Sequence, residues 1–288
     1  MTSLFKHFSL LFHEPVGHSN FLPVSGGSIN QTFQLKLTNN KRVFCKINSA
    51  SKFPHLFERE KEGLALIQKP EVIRTPKISA HFVAEEQQVL LMEWIDEGPK
   101  NAGFWKKFGE QLAALHKITN DYFGLGQDNF MGSVTQFNTP SKDWVNFFTE
   151  CRLKPLLQQC LAANLLTAKH VVLFEGIFVR LPDLFTEEKP ALLHGDIWSG
   201  NFMCNQHSEP VLIDPAVYFG HRSMDLAMTT LFGGFDKGFY EAYHYYFPVP
   251  PNYKEQWEVC NLYPLLIHLL LFGRSYLNGI ETTLKKYQ

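Results

Sequence analysis

Charge of one sign is scarce in this chain. Across 288 residues, 27 Lys and Arg stand against 28 Asp and Glu, a net charge of −1. No long basic run occurs, so nucleic acid and anionic membrane are not expected as partners, and a phosphorylated ligand would need a local cation. Cysteine is sparse too. Cys45, Cys151, Cys160, Cys204 and Cys260 make an odd number with no CxxC pair. That excludes a disulfide scaffold and reads as buried thiols in a reducing compartment. Long apolar runs are missing. The stretch YPLLIHLLLFG (263–273) is too short to span a bilayer and contains His268, so it reads as a buried helix. The start MTSLFKHFSLLFHEPVGHS is broken by Lys6, His7 and His13 and has no small-residue cleavage site. A signal peptide is therefore not expected, and a soluble cytoplasmic protein is.

What is present is an ordinary globular composition, 45% hydrophobic with 26 Phe, enough to build a packed core. The first third reads as strands. FQLKL (33–37) alternates, RVFCKI (42–47) follows, and the polar residues between them make a hairpin. PHLFEREKEGLALIQK carries Leu56, Glu60, Gly63, Leu64 and Ile67 at helical spacing. PKISAHFV and QQVLLMEWI read as two more strands. Beyond DEGPKNAG the pattern turns helical. FWKKFGEQLAALHKI (104–118) puts Phe104, Phe108, Leu112 and Leu115 on one face. The expected class is α+β with two lobes: a small antiparallel-sheet lobe over 1–95 and a larger, mostly helical lobe over 96–288. A seam between lobes is a usual place for a ligand.

The chemistry concentrates in LLHGDIWSGNF (192–202). His194, Asp196 and Asn201 form His-x-Asp-x4-Asn, and a short apolar run ends at Asp214 thirteen residues later. This is the pattern of kinase catalytic machinery. ATP must be held with Mg²⁺, a hard cation that prefers oxygen. The carboxylate of Asp214 and the amide oxygen of Asn201 suit it. Asp196 is then the general base for an acceptor hydroxyl, and His194 shapes the loop by hydrogen bonding. Taken singly, each polar residue also reads as a turn cap. Trp198 reads equally as core filler or as a flat face for a sugar.

The phosphates call for a cation, and Lys46 sits on a strand followed by a helix bearing Glu60. A Lys–Glu pair in that arrangement aims the amine at phosphate oxygens, with Glu58 and Glu62 as rival partners. Gly26, Gly27 and Ser28 precede the strands. Paired glycines let backbone N–H groups approach phosphate, although such a pair is also a common turn. At the lobe seam, backbone groups around Glu93 and Ile95 are candidates to meet adenine, with Met92 packed behind.

Four segments together are distinctive: LLHGDIWSGN, IDPAVYFGHRSMDLAM, FEREKEGL, and DNFMGSVTQFN with Trp144 and Phe147. On these the chain resembles the fructosamine kinase (ketosamine 3-kinase) family, in the aminoglycoside-phosphotransferase-like branch of the protein-kinase-like fold. The resemblance runs over roughly residues 10 to 285. It implies Asp196 as base, Asn201 and Asp214 as Mg²⁺ ligands, and the Lys46–Glu60 pair as phosphate orienter. It implies Asp225 as a buried acid bracing the catalytic loop. Asp128, Asn129, Gln136 and Asn138 match a mid-chain motif read as part of the substrate region. The implied reaction moves the ATP γ-phosphoryl group to the 3-hydroxyl of a ketosamine or of a glycated lysine side chain. The 3-phosphate then eliminates and frees the amine, which is deglycation. Two departures stand out. Ser223 replaces a frequent Glu after GHR, and Ser28 stands where some members carry a redox-sensitive Cys.

The rival readings are weaker. A protein kinase would carry Arg at Gly195, and the eleven residues from Asp214 to Asp225 leave no room for a peptide-docking segment. Kinases for aminoglycosides, choline or homoserine share the machinery, but Trp198 and the mid-chain motif favour the ketosamine. A kinase-like binding module without catalysis would have lost the base, a metal ligand or the lysine, and this chain keeps all three.

Overall fold

The computed structural model describes residues 3–25, 29–38 and 40–287. Gly26, Gly27 and Ser28, named above for phosphate contact, lie outside the described residues. In chain order the first part holds α1 (Ser3–Phe12), β1 (Phe21–Pro23), β2 (Gln31–Lys36), β3 (Arg42–Ser49), α2 (Leu56–Gln68), β4 (Ile78–Ala84) and β5 (Gln87–Glu93). The strands form one antiparallel sheet in the order β1-β2-β3-β5-β4. Side chains alternate across it. Val43, Cys45 and Ile47 of β3 pack with Val89 and Leu91 of β5 under α1. The intervening Phe44 and Lys46 face α2 and the seam.

Helix α1 was not foreseen, because Lys6 and His7 interrupt its apolar run. Leu4, Phe5 and Phe8 are nevertheless buried at helical spacing and Lys6 and His7 turn outward, so the charged residues mark the solvent face of an amphipathic helix.

The second part begins with α3 (Phe104–His116), β6 (Asn129–Met131), β7 (Val134–Gln136) and α4 (Trp144–Phe147). A π-helical stretch (Phe148–Leu153), α5 (Lys154–Ala162) and α6 (Ala168–Leu184) follow. Then come β8 (Ala191–Leu193), β9 (Phe202–Cys204), β10 (Pro210–Leu212) and β11 (Tyr218–Gly220). Helices α7 (Ser223–Leu231), α8 (Lys237–Tyr246), α9 (Tyr253–Cys260), α10 (Leu262–Phe272) and α11 (Leu277–Lys286) complete the chain. Phe104, Phe108, Leu112 and Leu115 of α3 are fully buried as one face. They pack against Phe239 and Tyr243 of α8 and against the short strands beneath the seam. Both pairs β8–β11 and β9–β10 are antiparallel. Between them they bring residues 194–201 and 213–217 side by side at the mouth of the larger lobe.

Candidate active site

The seam opens as a cleft of ≈ 1120 Å³. Of the residues named from the sequence, Lys46, Glu60, Met92, Glu93, Ile95, Asn129, Asp196, Trp198, Asn201 and Asp214 line it; Asp128, His194 and Asp225 do not. Lys46 is buried. Its Nζ donates to Glu60 Oε1 at 2.7 Å and to Asp214 Oδ1 at 2.5 Å. Burial alone would lower the pKa of this amine. The carboxylates of Asp214 and Glu60 outweigh that and hold it above the ordinary lysine value, so it stays charged. Glu58 instead meets His55, and Glu62 meets Arg59 and Gln127.

The catalytic-loop segment is held from below by Asp225, at the start of α7. Its two oxygens accept the backbone N–H groups of His194 and Gly195, each at 2.8 Å. His116 Nε2 donates to Asp225 Oδ2 at 3.1 Å, and His116 Nδ1 accepts from the Tyr243 hydroxyl at 2.8 Å. His194 is sealed in the interior. Its Nε2 donates to Ile213 O at 2.9 Å, while Nδ1 accepts from Asp196 N at 3.3 Å. Burial lowers its pKa, so it is neutral and confined to one tautomer. Gly195 has φ +86, and a Cβ there would lie 2.0 Å from Ala216 O. No side chain fits at the crossing of the two loops.

Asp196 sits at the cleft floor. Asn201 Nδ2 donates to its Oδ2 at 2.9 Å and to its backbone O at 2.8 Å. No protein donor among the described residues holds Asp196 Oδ1 or Asn201 Oδ1. Burial pushes the Asp196 carboxyl well above the usual range, opposed by the Asn201 hydrogen bond. Asp214 adopts φ 53, a left-handed conformation that Asp tolerates better than most residues. Ile213 N–H donates to Asn201 O and Ala216 N–H to His194 O, fixing the turn on both sides. Asp214 Oδ2 and Asn201 Oδ1 form a pair of hard oxygen donors that no donor among the described residues holds. That donor set suits a divalent cation whose other ligands are phosphate and water. No cluster of three or more His, Cys, Asp or Glu able to hold a metal occurs among the described residues.

The mid-chain motif is mostly internal. Asn129 Nδ2 donates to Val217 O at 2.7 Å, and Gln136 Nε2 donates to Ala216 O at 3.0 Å. Asn138 Nδ2 donates to Asn129 Oδ1 at 2.9 Å, and exposed Asp128 accepts from Asn138 N–H. The polar residues of the motif therefore brace the chain just after Asp214, and of these four only Asn129 reaches the cleft wall, beside Phe130, Met131 and Gly132. Behind it lies Arg152, which sequence reasoning missed. It is wholly buried, donates to Asn138 Oδ1 at 2.9 Å and sits 4.0 Å from the Tyr218 ring centre. Nothing in CRLKP marks it, because its partners are a carbonyl, an amide and ring faces rather than an acid. Ser223, at the position of the frequent Glu, donates to buried Gln256 Oε1 at 2.8 Å.

At the seam, the Glu93 carboxylate is taken by Arg74 at 2.5 Å. Only its backbone can serve a ligand. Trp198 lies against Gly200, where a Cβ would come within 2.4 Å of the indole, and its other neighbour is Phe232 at 5.7 Å between ring centres. It is half core, half cleft wall. Also unforeseen is the contribution of α10 and the turn after it. His268, Phe272 and Tyr276 line the cleft with Phe232.

The Fructosamine kinase family model matches residues 1–288. A probable ketoamine kinase of Lactiplantibacillus plantarum is 36% identical over 271 residues, covering 92% of this chain and 93% of its own. The chloroplastic protein-ribulosamine 3-kinase of Arabidopsis thaliana is 34% identical, covering 92% and 81%. The solved structure of a putative fructosamine-3-kinase from Thermobifida fusca superposes with TM-score 0.88 at 29% identity, covering 100% and 99%. The bilobal protein-kinase-like architecture is shared with more distant small-molecule kinases. With its whole length matched and its cleft built from the two lobes of a kinase, this chain belongs to the fructosamine kinase family.

Proposed function

We propose that this protein transfers the terminal phosphoryl group of ATP to the 3-hydroxyl of a ketosamine, a ketose carried on an amine. What supports the reading is that Lys46, Asp196, Asn201 and Asp214 all open onto one cleft, in a chain whose relatives are named ketoamine kinase and protein-ribulosamine 3-kinase. Residues 1–95 carry the nucleotide and 96–288 the acceptor. Backbone groups near Glu93 and Ile95 face adenine, and Met92 packs behind it. Lys46, held by Glu60, presents its cation to phosphate oxygens. Asn201 and Asp214 would hold Mg²⁺, which when bound would neutralise phosphate charge.

Asp196 Oδ1 takes the proton of the acceptor hydroxyl as its oxygen bonds to the γ-phosphorus. The bond from that phosphorus to the bridging oxygen breaks, and ADP leaves. Trp198 supplies a flat face to the sugar. His194 and Asp225 hold the loop, and Asp128 and Asn129 support this region from the side. The 3-phosphate product loses phosphate by β-elimination, and water hydrolyses the resulting C1 imine to an aldehyde and the free amine, so the role is deglycation in the cytoplasm, on small ketosamines or glycated lysine side chains. No helix among the described residues is long and apolar enough to cross a membrane.

The test is Mg²⁺-dependent ADP release with fructosamine, ribulosamine and erythrulosamine derivatives of lysine, beside choline, homoserine and an aminoglycoside. Turnover of at least one ketosamine well above the other alcohols is expected. Turnover confined to choline, homoserine or the aminoglycoside overturns the reading.

A further inference from the structure

Beyond Trp198 the cleft wall changes chemistry. The catalytic end carries Lys46, Asp196 and Asp214, whereas the far wall is Phe232, Ile267, His268, Leu271, Phe272 and Tyr276. The aromatic members form a row. Trp198 and Phe232 are 5.7 Å apart between ring centres, Phe232 and His268 4.9 Å, His268 and Phe272 5.4 Å, and His268 and Tyr276 5.0 Å. His268 and Phe272 are four apart on α10 and therefore share a face. The row starts two residues from Asp196 and ends in solvent, with Phe232 38% and Phe272 49% exposed.

No formal charge sits in this stretch. His268 Nδ1 donates to Pro264 O at 2.7 Å, and burial lowers its pKa, so it is neutral. Arg274, next along the chain, donates to Asn164 O at 2.8 Å and is engaged there.

A half-exposed aromatic row leading away from the reacting group has no packing need to be so open. In a ketosamine only three carbons separate the nitrogen from the 3-hydroxyl. With that hydroxyl at Asp196 and the sugar against Trp198, the nitrogen and whatever it carries must leave along Phe232 toward Phe272. The nitrogen is a protonated secondary amine, which ring faces stabilise. A carboxylate close to that nitrogen would meet the negative faces of the same rings, with no cation among Phe232, Ile267, His268, Leu271, Phe272 and Tyr276 to receive it.

We infer that Phe232, Phe272 and Tyr276 form the subsite for the amine half of the ketosamine, and that it selects amines bearing apolar or aromatic substituents over those bearing a carboxylate. This rests on the ketosamine reading above.

The test compares kcat/KM for ketosamines of one sugar made from benzylamine, propylamine and glycine. The wild type, Phe272→Ala and Phe232→Leu are assayed with all three. The expected order is benzyl, propyl, carboxymethyl, with about tenfold or more between first and last, the scale of a discriminating apolar pocket. In Phe272→Ala, at a half-exposed site that tolerates truncation, the benzyl advantage shrinks to about threefold through KM, while KM for ATP holds. Phe232→Leu keeps bulk but removes the ring face, and lowers the benzyl preference as well. Equal kcat/KM across the three in the wild type overturns the subsite while leaving the ketosamine reading intact. So does an equal loss on all three in both variants. Turnover of none of the three, with fructose, ribulose and erythrulose each tried as the sugar, overturns that reading and this inference with it.

Discussion

Asp196 lines the cleft and gives one oxygen to Asn201, and the other, held by no donor among the described residues, is the proposed proton acceptor. Asp196→Asn preserves the volume and removes the proton acceptor. Turnover should fall by at least ~10²-fold while nucleotide binding is retained. Steady-state rates together with a nucleotide titration check this, and near-normal turnover refutes the base assignment. Lys46 is a different kind of residue, because its cation holds two carboxylates together. Lys46→Met leaves the largely buried Glu60 facing Asp214 without compensation, and the unfolding free energy should drop by about 3 kcal/mol. Denaturant unfolding of the protein without nucleotide reads this directly. An unchanged midpoint means the pair acts only on ligand.

At the scale of elements, the catalytic loop is a clamp. One carboxylate on α7 takes two successive N–H groups, and a neutral histidine ties the loop to the chain before Asp214. Asp225→Asn offers one acceptor oxygen where two are used and turns an NH₂ toward an N–H. We expect about 2 kcal/mol lost from unfolding free energy and a parallel loss of turnover. A variant with the wild-type melt and full activity shows that the carboxylate does not hold the loop. This clamp explains why Asp196, Asn201 and Asp214 could be read from the chain. Their spacing within two short loops is set by local geometry, and apolar runs frame both.

Other elements were not legible. Asn129, Gln136 and Asn138 read as part of the substrate region because they match a mid-chain motif of the resembled family. Only the packing shows that the Asn129 and Gln136 amides face the backbone carbonyls at 217 and 216, and that the Asn138 amide braces Asn129. The aromatic row was hidden because α10 is apolar on nearly every side, so its pattern announces burial but not which face meets the cleft. Arg152 had no acidic partner to betray it.

For the molecule as a whole, the buried histidines set a limit on acid tolerance. Burial holds His221 down to about 4, against 6.5 for an ordinary histidine, despite the Glu188 carboxylate nearby. Between those values the unfolded chain binds a proton that the native state does not, so stability falls as pH falls through this window. One such group contributes about 3 kcal/mol over the full interval. Urea unfolding at about pH 7.5 and about pH 4.5 should show this loss, and His221→Asn should show a smaller one. The same slope in both proteins contradicts the assignment. His221 Nδ1 accepts from Ser223 N–H at 3.2 Å, a role that an Asn oxygen can take over.

The central claim joins both lobes: a cation from the sheet holds the phosphates while a carboxylate from the helical lobe takes the proton of the acceptor hydroxyl. Phosphorus and carbon NMR of the product made from ATP and a fructosamine tests it most directly. The predicted result is phosphate on the C3 oxygen with the wild type and almost none with Asp196→Asn. Phosphate on another carbon, or an undiminished rate with Asp196→Asn, contradicts it.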